Sequence, residues 1–254
     1  MRQTLTTVLL LTALAACSPK NQEAPKADAA ADAPATAEAA PPAATTETTA
    51  YATGLVPQAL PPDVPAGAYT IDQSHATLIF RVNHLGFSNY TARFRKFAAD
   101  LQFDPKNVSA STVTATIDPT SLETDFPDPK KVDFNKELNN ENWLNAVKFP
   151  QITFRSTKVE ATNDGHIRID GELSLHGVTK PVTLNATLNG GYAGHPMDPR
   201  ARIGFSAKGV LQRSEFGVAY GIPEPGSNMG VGDNVDVIIE AEFNGPPLAN
   251  ANKG

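Results

Sequence analysis

The chain has 254 residues, a formal net charge of −6 at pH 7, and 41% hydrophobic but only 7% aromatic residues. Lys and Arg are scattered through an acidic background, which excludes a nucleic-acid backbone as partner, because phosphate binding needs clustered positive charge. No internal apolar run approaches the roughly 18 residues of a spanning helix.

The start reads as an address. Met1-Arg2, the apolar run Val8 to Ala16 and the closing small residues form a secretory signal over residues 1–16. Leu14-Ala15-Ala16-Cys17 is similar to the bacterial lipobox, whose Cys is acylated and becomes the mature N-terminus. Cys17 is the only cysteine, so no disulfide forms within the chain, and acyl chains, palmitate among them, would occupy a thiol otherwise exposed to an oxidising compartment. Cys17 is thus the expected lipidation site and membrane anchor. In the lipoproteins that this start resembles, a residue other than Asp after the Cys, here Ser18, favours the outer membrane, and the expected location is the cell envelope, anchored at the outer membrane and facing the periplasm.

Residues 17–66 are rich in Ala, Pro, Thr and Glu, and all twelve Phe and the single Trp lie beyond them. Repeated Pro blocks helix and central strand alike, so this segment is expected to be a disordered leash. The polar end, residues 246–254, is expected to fray.

Residues 67–245 carry period-two alternation, the mark of strands with one buried face. It runs through Leu78-Phe80-Val82, Val113-Ala115-Ile117, Ile152-Phe154, Ile167 to Leu175, Val182 to Asn189, Ile203-Phe205 and Val237 to Phe243. Asn163-Asp164-Gly165 and Asn189-Gly190-Gly191 read as turns. The fold class is therefore all-β, an antiparallel barrel or sandwich. Phe97, Ala99, Leu101 and Phe103 share one parity and Phe94 the other, which predicts a bulge between them. From Pro119 to Phe149 alternation is lost; Asp128-Pro129 reads as a helix start, and one or two short helices with Trp143-Leu144 packed on the barrel would close one end.

Catalytic signals are few. His75, His84, His166, His176 and His195 lack metal-ligand spacing, and no nucleophile elbow, phosphate loop or dinucleotide fingerprint occurs. No cofactor or metal is expected, and no enzyme. A closed eight-strand sheet has an interior that either packs shut or holds one elongated ligand. With Phe and Leu dominating the inward parity, any ligand should be apolar over most of its length.

Five fragments then carry a resemblance: Ser74-His75-Ala76 with Phe80 to Phe87, Asn145 to Pro150, Gly171 to Val182, Arg213 to Gly217, and Val231 to Val235. In this order, over about Ala68 to Phe243, they resemble the YceI-like family. The resemblance implies a lipocalin-like antiparallel barrel of about eight strands, periplasmic or secreted, holding a polyisoprenoid or similar long amphiphile. Two departures stand out. Many relatives have a plain signal where this chain has a lipobox and leash, and Asn142-Trp143-Leu144 lacks the basic residue often found before that Leu, which bears on recognition of a pyrophosphate head.

Parity and ring size select Phe80, Val82, Phe97, Leu101, Phe103, Phe154, Phe205 and Phe216 as barrel lining, with Trp143 near one end; each could equally be plain core. Arg81 and His84 are the candidates for a head group. The Gly- and Pro-rich segment from Glu215 to Gly230 reads either as a gate or as a long turn. The leading expectation is a tethered, non-enzymatic carrier of an isoprenoid such as a quinone tail, with homodimerisation as a further expectation. The alternatives are a packed-barrel stress or surface interaction protein and an enzyme acting on a lipid or amide.

Overall fold

The computed structural model describes residues 63–248. The signal, Cys17 and the leash up to residue 62 lie outside the described residues, as does the tail from 249.

Ten strands follow in chain order: β1 Gly67–His84, β2 Ser88–Phe94, β3 Phe97–Phe103, β4 Thr112–Ile117, β5 Leu122–Thr124, β6 Ile152–Ala161, β7 His166–Leu175, β8 Val178–Tyr192, β9 Arg200–Gln212 and β10 Val231–Pro247. They form one antiparallel sheet in the order β10-β9-β8-β7-β6-β4-β3-β1-β2-β5, closed by pairing of β10 with β1. Two pairs are single staves with a break: β1 pairs β3 through Thr70↔Asp100 and β2 through Leu78↔Phe94, while β4 runs beside β3 and β5 beside β2. Counted as staves, the sheet is the closed eight-strand, lipocalin-like barrel that sequence leads one to expect.

The break between β2 and β3 falls at Arg95-Lys96, where the parity of the aromatic residues changes. Arg95 N donates to Ser121 O at 3.0 Å, Lys96 N to Ser121 Oγ at 2.9 Å and Asp118 N to Lys96 O at 3.0 Å, so the two kinked staves are stitched together across their breaks. The extra backbone turns Phe94 and Phe97 to the same side despite their odd spacing.

Hairpin chemistry is local. His176 (φ 52°) and Gly177 (φ 78°) make the two-residue connection between β7 and β8, both in the left-handed region that matches strand twist. Asn163-Asp164-Gly165 turns β6 into β7 as expected. Asn189-Gly190-Gly191, by contrast, is no turn. It lies inside β8 at a register shift between Leu188 and Gly190, and a Cβ at Gly191 would meet Arg202 O at 2.7 Å. These glycines admit a bulge and a close strand approach; the reversal comes later, where His195 pairs with Asp198.

The insertion also differs in detail. It opens with a 3-10 turn, Pro119–Ser121, and the short strand β5, which sequence left inside the irregular stretch. Asp128 only caps a turn at Lys131 N. The one α-helical turn, α1 Phe134–Glu137, is capped by Asp133, whose side chain accepts from Lys136 N at 3.0 Å. β6 begins at Ile152, opposite Ile117 of β4, so β5 pairs only with β2 and the residues between β5 and β6 cover that side of the barrel.

The barrel has a base and an insertion end. At the base, Tyr69, Phe103, Phe205 and Phe243 form an edge-to-face series with centroids 6.1, 6.2 and 6.2 Å apart. Val64, assigned by composition to the leash, is 3% exposed and packs into this cluster, and Tyr69 donates its hydroxyl to Pro65 O at 2.7 Å. At the other terminus β10 extends to Pro247 and Leu248 N reaches Pro199 O. The ordered domain is therefore wider than residues 67–245 at both ends, because burying Val64 and pairing β10 with β9 reward the extra residues.

Candidate functional site

The staves enclose an apolar cavity of about 690 Å³, inside the ~300 to 1,000 Å³ range of ligand sites. Phe80 and Val82 face it from β1, Phe97, Leu101 and Phe103 from β3, Phe154 from β6 and Phe205 from β9, with Trp143 entering from the insertion. Phe80 packs on Phe94 with ring centroids 5.5 Å apart. Phe154 lies over Gly171, the residue of β7 whose inward position carries no side chain; a Cβ there would press on the Phe154 ring and stand 2.6 Å from Arg155 O. Gly171 thus leaves the space in which a large ring lies flat against the wall.

Two candidates fall elsewhere. Phe216 is outside the cavity wall: it sits in a 3-10 turn, Arg213–Phe216, 1% exposed, packed behind Ile152, Leu173 and Leu175. Strand parity has no meaning in such a turn. Arg81 is exposed and faces away from the cavity, since Phe80 and Val82 on either side of it point in. Of the proposed head-group residues only His84 borders the cavity, at the exposed end of β1.

Among the wall residues at the insertion end that sequence reasoning passed over are Tyr90, Phe126, Phe134 and Arg213. The Tyr90 ring meets Phe134 edge-on at 5.6 Å, and Phe134 meets Phe126 at 5.4 Å. Tyr90 shares the parity of Phe94 on β2, a signal that was present. Arg213 had no such signal. Its guanidinium donates to Gly232 O, Val218 O, Tyr220 O and Val231 O at 2.8 to 2.9 Å, and its Cζ stands 5.3 Å over the Trp143 ring. Burial pulls it below the usual guanidinium value, while Asp233 acts in the opposite sense. Asp233 itself accepts from Ser214 N and Oγ at 2.8 and 2.7 Å. The segment from Glu215 to Gly230 is therefore tied at its start by Arg213 and at its end by Val231 N donating to Gly221 O at 2.7 Å.

Outside the cavity wall, β1 and β10 gather Asp72, His75 and Glu242, whose possible ligand atoms lie within 4.8 Å of one another. The spacing of the histidines in sequence gave no sign of this group. Arg202 already engages it, 2.8 Å from Asp72 and 3.6 Å from Glu242. Hydrogen bonds from His75, Ser74 N and Arg202 hold the Asp72 carboxyl well below the usual carboxylate range. Charge balance by a guanidinium, rather than by a cation from solution, suits this pattern.

The arrangement has a clear chemical character: a long hydrocarbon volume, sealed by aromatic rings at the base and bordered by polar side chains only near its two rims. It is built to replace water around an apolar chain.

Comparison with known proteins agrees with this geometry. The sequence pattern of the YceI-like domain matches residues 69–243. The UPF0312 protein of Vibrio parahaemolyticus is 37% identical over 171 residues, covering 66% of this chain and 87% of that protein. Among solved structures, Burkholderia cenocepacia BcnA superposes with a TM-score of 0.57 at 22% identity, over 68% of this chain and 98% of its own. A polyisoprenoid binding domain from Saccharophagus degradans, implicated in plant cell wall breakdown, superposes with a TM-score of 0.51 at 14% identity, over 70% of this chain and 98% of its own. Matched through nearly all of its barrel, the chain belongs to the YceI-like domain family.

Proposed function

We propose that this protein is a non-enzymatic lipid-binding protein of the bacterial cell envelope that sequesters or carries a polyisoprenoid or similar long-chain amphiphile, such as an isoprenoid quinone, in its barrel. The observation that carries this reading is the apolar cavity of about 690 Å³ inside the barrel, which favours a held ligand over a fully packed interior. The structural likeness to a polyisoprenoid binding domain supports the ligand class. Energetics agree: an isoprene unit contributes on the order of 4 kcal/mol on burial at ~0.8 kcal/mol per carbon group, so a few units offset the ~4 to 15 kcal/mol cost of association. The lipobox ending in Cys17 supports tethering by acyl chains, with the barrel in the periplasm at the outer membrane and the leash giving it reach.

The test is organic extraction and mass spectrometry of the full chain purified from a bacterial envelope. A stoichiometric isoprenoid is expected. Protein that is folded, free of lipid and unable to take up added quinone or polyprenol would overturn the reading. Incorporation of labelled palmitate, abolished by Cys17→Ala, checks the anchor separately.

A further inference from the structure

Among the described residues, the exposed large hydrophobic side chains are not spread evenly over the surface. Phe87, Val132, Val147, Tyr220 and Met229 all lie on loops at the insertion end, whereas Met197 stands at the base and Val210 on the outside of β9. Single exposed apolar residues need no explanation, but a group gathered at one end marks a contact surface. The backbone holds these tips out. Leu85 (φ 55°) and Gly86 (φ 73°) form a two-residue hairpin between β1 and β2, in which Phe87 N donates to His84 O at 3.0 Å, and Phe87 is left 83% exposed. Leu85 N also donates to Gly230 O at 2.8 Å, which sets the hairpin beside the turn carrying Met229, itself 73% exposed. The tips continue the cavity wall: His84 and Val231 border the cavity a few residues from Phe87 and Met229, and the wall residue Trp143 meets the exposed ring of Tyr220 edge-on at 5.4 Å.

The geometry points to a membrane-docking rim at the insertion end, where Phe87, Tyr220 and Met229 enter the interfacial layer of a lipid bilayer. The tips come from three separate loops set around one end of the cavity, the β1–β2 hairpin, the insertion and the segment from Glu215 to Gly230, and not from one flat face. Tyr and Trp, the pair that joins wall to rim, are side chains suited to the boundary between hydrocarbon and water. An apolar cargo resides in a bilayer, so the choice of occupant rests on the lipid-binding reading above. The chain preceding the barrel enters at the opposite end, where Val64 packs into the base. Charge plays little part: Asp128, Lys130, Lys131, Asp133, Lys136 and Glu137 mix both signs along the insertion, so the contact is apolar insertion and not attraction to anionic lipid.

The test uses the chain from residue 17 onward with Cys17→Ser, so that no acyl chain is attached, and flotation with vesicles of phosphatidylethanolamine and phosphatidylglycerol. Wild type should float, equally at about 0.05 and 0.5 M NaCl. The double variant Phe87→Ser with Met229→Ser should bind vesicles at least about tenfold more weakly, with an unchanged melting temperature and unchanged uptake of retinol, a fluorescent isoprenoid alcohol, added from ethanol. Met197→Ser, at the base, should float as wild type does. The rim is overturned if wild type does not float, if the double variant floats equally well, if Met197→Ser weakens binding as much, or if high salt abolishes it. Wild type that stays off vesicles and dimerises, with the double variant monomeric, would give the surface to a second copy of the chain. Failure of wild type to take up retinol counts against the carrier reading alone, and salt-independent flotation lost in the double variant still upholds the rim.

Discussion

The two ends of the barrel solve the same closure problem with different chemistry. The base is shut by ring packing: Tyr69, Phe103, Phe205 and Phe243 interlock edge to face over Val64, and burial pushes the Tyr69 phenol up to about 12. The insertion end is shut by a composite of Phe126, Phe134 and Trp143 with a guanidinium that holds loop carbonyls together. Ring packing loses free energy for any displacement and is rigid. A hub of hydrogen bonds around one side chain can instead be released as a unit, so the insertion end is the end that can open without breaking the ring packing of the base.

The sharpest way to break this contrast is to remove one ring from the base. Phe103→Ala should cost about 3 to 5 kcal/mol in urea unfolding, whereas Phe134→Ala in the insertion should cost less than half as much and leave the unfolding transition cooperative. Equal losses would mean that the two ends are one packing unit. Next comes the guanidinium hub. Arg213→Lys cannot reach four carbonyls with a single ammonium and should cost about 2 to 3 kcal/mol; amide exchange should rise in residues 218–231 and stay unchanged in β3 and β10 near the base. Exchange rising everywhere would show that the loop is not a separable element.

Gly171→Ala tests the wall between the ends. Its methyl group would meet Phe154 and Arg155 O, so a loss of about 1 to 3 kcal/mol is expected, with reduced uptake of lipid because the Phe154 ring is forced into the cavity. The smallest effect concerns acid. The Asp72 carboxyl titrates below its unfolded value, so its stabilisation is present above the ordinary aspartate pKa of ~3.9 and is lost as pH falls further. Asp72→Asn should therefore flatten the decline of melting temperature below about pH 4; an unchanged acid slope would remove Asp72 from the account.

The sequence by itself determined the sheet. Alternation in Ile167 to Leu175 and Val237 to Phe243 fixed which side of each strand is apolar, because side chains on extended backbone alternate regardless of what they pack against. The same rule, applied strictly, puts Arg81 outside, between two inward neighbours and against its expected head-group role, and puts Tyr90 on the parity of Phe94, although the expected wall residues did not include it. The rule stops where the backbone ceases to be extended. Phe216 has the right size for a wall residue, yet it occupies a 3-10 turn and is buried behind the wall; Asn189-Gly190-Gly191 has turn composition, yet neighbouring β9 holds it in register as a bulge. Only the tertiary structure decided how the polar groups at the insertion end are satisfied. The carbonyls around Arg213 come together when a loop folds back on its own start, and the Tyr90 hydroxyl is left unbonded when the insertion covers it. Local periodicity reports the burial of a face, whereas the satisfaction of a polar atom depends on which distant groups arrive beside it.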